Sequence, residues 1–92
     1  MERNYHCRWG ELDLVAVDLD FNIHFVEVKT RTGAAYGSPG EAVTYSKKQK
    51  IKKTALTWLQ EQPEYFSGIS FDVIEICVEG GTAKIRWLQH CF

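Results

Sequence analysis

From residue 11 the chain reads Glu-Leu-Asp-Leu-Val-Ala-Val, in which polar and apolar residues take turns before a continuous apolar end. A period of two puts successive side chains on opposite faces of a strand, and the apolar end suits the interior of a sheet. The pattern predicts a strand over 11–17, preceded by a short strand over 3–8 (RNYHCR). DLDFN, 18–22, has the composition of a turn. IHFVEVKT, 23–30, is the next strand, so strands two and three form a hairpin. RTGAAYGSPGEAVTY, 31–45, is glycine-rich and without a period, which predicts a long loop; such loops are uncommon unless functional or disordered. SKKQKIKKTALTWLQEQ, 46–62, is a helix. Ile51, Ala55, Trp58, Leu59 and Gln62 recur at helical spacing, Ser46 and Gln49 form a capping-box pair, and Pro63 stops it. Strands follow over 69–78 and 83–89, joined at Gly80–Gly81. The order β-β-β-α-β-β predicts one α/β domain over 1–92, built on a mixed sheet.

Composition narrows the class. A chain of 92 residues with 45% apolar and 25% charged side chains is an ordinary globular domain. No apolar run approaches a membrane span, and the start MERNYHCRWGELD lacks a signal core, so the expectation is a cytoplasmic protein. Cys7, Cys77 and Cys91 are odd in number and widely spaced. That argues against a disulfide framework or a zinc site and for reduced thiols. The net charge of −1 hides an asymmetry: residues 29–53 hold seven basic side chains and one acid, Glu41, while the rest hold four basic and eleven acidic residues. A basic stripe of this kind either contacts phosphates or is a solvated helix face.

The chemistry concentrates on the hairpin. Alternation places Glu11 and Asp13 on one face of their strand and Glu27 and Lys29 on one face of the next. Leu12, Leu14, Val26 and Val28 then point the other way and build core. If the strands pair, three carboxylates and an ammonium converge. Carboxylates so close repel unless a cation neutralises them, and a hard divalent ion such as Mg²⁺ or Mn²⁺ accepts such oxygen ligands. With Lys29 beside the attacking water, this is equipment for metal-assisted phosphodiester hydrolysis. A Glu-x-Lys pair on a strand also arises as an exposed ion pair of small energetic worth. The apolar surroundings of Glu27 and Lys29 weigh against that reading.

GELDLVAVD, 10–18, followed by FVEVKTR, 25–31, resembles the PD-(D/E)-x-K nuclease signature. With ERNYHCR before it and GSPGEAV, KKQKIKKTALTWL and FDVIEI after it, nearly the whole chain resembles the YraN family. The resemblance implies a restriction-endonuclease-like fold akin to archaeal Holliday junction resolvases. It implies a Mg²⁺- or Mn²⁺-dependent endonuclease, a hydrolase acting on DNA, branched or otherwise structured DNA included. Asp13 and Glu27 match the metal-binding acids, the carbonyl of Val28 a further ligand, Lys29 the catalytic lysine and Glu11 an assisting acid. Gln49 matches a polar helix position that faces the site in related nucleases; its other reading is the capping partner of Ser46. Arg31, Lys47 and Lys48, with Tyr36 and the GSPGE loop, would grip the DNA backbone. Those loop residues also suit an ordinary connection.

Members of the family usually begin with a further helix before the segment matching ERNY, and that helix carries a glutamate near the metal site in related resolvases. Its absence here implies a truncated or naturally short member, in which one metal-site acid would be missing and one sheet face bare. A bare apolar face favours a homodimer. The alternative function is a non-catalytic nucleic-acid- or protein-binding module on the nuclease fold. Trp9, Trp58 and Trp87 read as core or interface, and His24 as a strand residue facing a neighbour. Asp72 carries no assigned chemistry.

Overall fold

Alternating residues on either side of Asp18–Phe21 become two antiparallel strands, because an Asx turn reverses the chain between them. The Asp18 carboxylate accepts from the N–H groups of Asp20 and Asn22 at 2.9 and 3.0 Å. The structure, a computed structural model, describes residues 2–32 and 44–92, leaving the side chains of Arg31 and Thr32 undescribed. Most of the loop expected over 31–45, Tyr36 and GSPGE included, lies outside the described residues.

The strands are β1 (Glu2–Cys7), β2 (Gly10–Val17), β3 (Asn22–Thr32), β4 (Gly68–Glu79) and β5 (Thr82–Leu88), with helix α1 (Tyr45–Gln60) between β3 and β4. The sheet order is β1-β2-β3-β4-β5. Pairing is antiparallel except between β3 and β4, which run parallel from Asn22 opposite Gly68 to Thr32 opposite Val78. The mixed sheet with one helix after the third strand is the expected α/β class and is consistent with a restriction-endonuclease-like fold. The parallel pair requires a crossover, and α1 supplies it.

Helix α1 lies over β1 and β2. Ile51, Ala55 and Trp58 pack with Leu12, Val15, Ile23, Phe25 and Val73 in one buried cluster. Phe25 sits at its centre, edge-on to Trp58 and stacked on Phe71 at 5.7 and 5.5 Å between centroids. Burying Phe25 contributes about 2–3 kcal/mol.

Two expectations need correction. Leu12 builds core as expected, but it does so with Val15, three residues on, beneath the same helix whose start lines the Asp13 cavity. Opposite them, Glu2 and Tyr5 both reach α1, accepting from Trp58 Nε1 at 2.8 Å and donating to Glu61 at 2.9 Å. Strict alternation breaks between these positions, where Asn4 has φ 54°. The second correction is the cap. Thr44, not Ser46, caps α1, its hydroxyl accepting from the Lys47 N–H at 3.2 Å. Gln49 is therefore not a capping partner.

No helix among the described residues packs on the opposite sheet face. There Val26 is buried, while Ile85 and Trp87 remain 70% and 52% exposed.

Candidate active site

The strand geometry aims carboxylates at the start of α1. A cavity of about 150 Å³ opens there, lined by Gly10, Glu11, Asp13 and Glu27 from the sheet and by Lys47, Lys50, Ile51 and Thr54 from the helix. Gly10 adopts φ +149°, a conformation open to glycine, and a Cβ on it would lie 3.5 Å from the Thr54 hydroxyl. Asp13 is fixed across the hairpin, its Oδ2 accepting from the Val28 N–H at 2.9 Å. Glu27, nearly buried, holds two ammonium groups on one oxygen: Lys47 Nζ at 3.2 Å and Lys29 Nζ at 3.5 Å from Oε1.

The two lysines divide their charge unevenly. Lys29 is pushed below the ordinary lysine value, first by its neighbour Lys47 and then by burial, with Glu27 opposing. Lys47 is held above it, first through its neighbour Lys29 and also by Glu27, against burial.

The other expected site residues are spread around this centre. Glu11 lines the cavity, but its carboxylate pairs with His6 Nδ1 at 3.3 Å and both side chains are more than half exposed. Val28 lies between Glu27 and Lys29 and contributes its N–H to Asp13. Lys48 sits over the Phe92 ring at 5.6 Å. Gln49 is half-buried and is not among the residues lining the cavity. The side chain of Arg31 lies outside the described residues.

Sequence reasoning missed Lys50 and Thr54. Thr54 is fully buried, and its hydroxyl donates to the Lys50 carbonyl at 2.8 Å. It also missed Glu75, which is fully buried, stands opposite Lys29 in register and receives Arg86 Nη2 at 3.1 Å. An acid inside VIEICV was the available signal, since buried carboxylates need partners.

A second polar network lies on the other face. His24, buried, bridges Asp72 Oδ2 at 2.8 Å and Asp18 Oδ2 at 2.9 Å. Asp72 also accepts from Trp87 Nε1 at 2.9 Å, from the His90 N–H at 3.2 Å and from the Ser70 hydroxyl. Burial lowers the proton affinity of His24, but the two carboxylates outweigh it and raise its value. Asp18 is held down to about 2, chiefly by His24.

Among the described residues, no group of three or more His, Cys, Asp and Glu side chains is arranged to hold a metal ion. The carboxylates lining the cavity are Glu11, Asp13 and Glu27, and with Glu11 engaged by His6 the pair left for a cation is Asp13 and Glu27. Hard Mg²⁺ accepts one or two carboxylates completed by water and substrate oxygens, so this pair fits it.

The mixed sheet with its crossover helix is of the α/β class and is consistent with a restriction-endonuclease-like fold. Sequence comparison gives its family. A profile described as "Uncharacterised protein family UPF0102" matches residues 1–76. The chain is 51% identical to a UPF0102 protein of Syntrophomonas wolfei, covering 100% of this chain and 79% of that relative. It is 46% identical to a UPF0102 protein of Rhodococcus opacus, with 100% and 78% covered. A UPF0102 protein of Geobacter metallireducens is 47% identical, with 100% and 75% covered. The chain belongs to the UPF0102 family, also called the YraN family.

Proposed function

We propose that the domain is a divalent-metal-dependent endonuclease that hydrolyses DNA phosphodiesters, structured or branched DNA included. The observation that supports this is the meeting of Asp13, Glu27 and Lys47 at one cavity, with Lys29 on the Glu27 carboxylate. Asp13 and Glu27 would hold Mg²⁺ or Mn²⁺, which would supply Lewis-acid polarisation of the phosphate. The Val28 N–H keeps Asp13 in one orientation. Lys29, its affinity for a proton lowered by Lys47 and burial, would orient the attacking water. Lys50, lining the same cavity, lies where a phosphate's charge would be met. Glu11 contributes field at the cavity mouth rather than a fixed ligand, because His6 engages it.

No helix among the described residues is long and apolar enough to cross a membrane. Among the described residues Cys7, Cys77 and Cys91 form no disulfide, which supports a cytoplasmic location where DNA is available.

The test is cleavage of a panel of duplex, single-stranded and branched DNA with Mg²⁺ or Mn²⁺. Wild type should cut, and Asp13→Ala and Lys29→Ala should each lose about 10²-fold or more in rate. Cleavage unchanged in both variants would remove the assignment.

A further inference from the structure

Glu27 carries two lysine ammonium groups on one oxygen, and Asp13 is the other acid that acts on Lys47. Lys29 belongs to the same strand and is the more enclosed of the two, with 25% of its side chain exposed against 43% for Lys47. Lys47 comes from the first turn of α1, a turn without an acidic residue. A cation there is opposed by the helix dipole, so the helix alone gives it no reason to stay. Glu27, with 11% of its side chain exposed, supplies that reason. The lysine thus occupies one of the two carboxylates that a divalent ion would need, and has an open path away from it.

We infer that Lys47 is a built-in, displaceable counter-ion of Glu27, competing with a divalent cation for that carboxylate and freed toward substrate phosphate when the cation binds. This rests on the reading of Asp13 and Glu27 as the cation site. The competition keeps the site neutral without metal and sets a threshold for metal loading. It also couples loading to substrate capture, because a lysine released from Glu27 is a new phosphate contact at a helix N-terminus.

The experiment is calorimetric titration of Mn²⁺ into the whole chain as wild type, Lys47→Met and Lys50→Met. Methionine keeps the length and helix propensity of lysine without its charge. Lys50 lines the same cavity but is not one of the two cations on Glu27 among the described residues. Lys47→Met should bind Mn²⁺ about two- to five-fold more tightly than wild type, the worth of one partly exposed ion pair. Lys50→Met should move affinity less. Equal tightening in both variants would reduce the effect to a general field and overturn the inference. Wild-type Mn²⁺ binding left unmoved by Lys47→Met would overturn it while leaving the metal reading intact. No Mn²⁺ uptake in any of the three chains would remove the metal reading and the inference together. Should Lys47→Met not fold, the ε-methylene shifts of the wild-type lysines answer the same question. Mg²⁺ should move Lys47 and not Lys50, and a still Lys47 overturns the proposal.

Discussion

At the scale of single residues, the His24 network has the clearest consequence for stability. Its folded proton affinity lies above the ordinary histidine value of 6.5, so its contribution is present in full below that value and is lost as pH rises through the folded one. Asp18 runs the other way: held down to about 2 from 3.8, it contributes above 3.8 and loses that as pH falls through about 2. The network is therefore strongest between those ranges. Denaturant unfolding of wild type should show lower stability at about pH 9 than at about pH 5.5, and His24→Gln should abolish that difference. The substitution should also cost about 3 kcal/mol at the lower pH, because it leaves the buried Asp72 carboxylate without its cation. None of this was legible from IHFVEVKT and FDVIEI read separately. His24 meets Asp72 through the parallel register of β3 on β4, which no local pattern encodes. Glu27 and Lys29 were legible because their strand is apolar around them, and charges in such a setting need a reason.

At the scale of elements, α1 shows how two local signals compete. Ser46 with Gln49 offers a capping box, while Thr44 lies two residues earlier without a partner of that type. The helix starts at Tyr45 and takes Thr44 as its cap. The side chain at the third helical position is then Lys47, committed to Glu27 rather than to the cap. Anchoring to the sheet thus sets the start of the helix, and the propensity signal at Ser46 yields to it. Thr44→Ala should destabilise by about 1 kcal/mol in denaturant unfolding, and Ser46→Ala by less than about 0.5 kcal/mol. The reverse ranking would return the cap to Ser46. Strand β2 makes a similar point. Alternation predicted its existence but not the break that puts both Leu12 and Val15 under the helix, which coincides with Asn4, at φ 54°, on the neighbouring strand.

At the scale of the whole molecule, the order of elements was legible because each has a strong period and clear turn chemistry at its ends. The parallel step from β3 to β4 then followed from a single helix crossover. What the order could not give was how charge is shared out in space. The lysines of 46–53 looked like one uniform basic stripe, yet the fold gives them different tasks: Lys47 to Glu27, Lys48 over Phe92, Lys53 over Trp9 at 5.0 Å, and Lys50 to the cavity. A uniform stripe would make each lysine an equivalent phosphate contact. The observed division predicts unequal ones. In fluorescence anisotropy with duplex DNA and Ca²⁺ in place of Mg²⁺, binding should weaken with salt. Lys50→Ala should make the slope of log affinity against log salt shallower by about 0.9, the signature of one lost phosphate contact. Lys53→Ala should leave it within about 0.3, since its ammonium already lies on an indole rather than toward the cavity. Equal changes from both would restore the uniform stripe and place the DNA along the outer helix face instead of at the acidic corner.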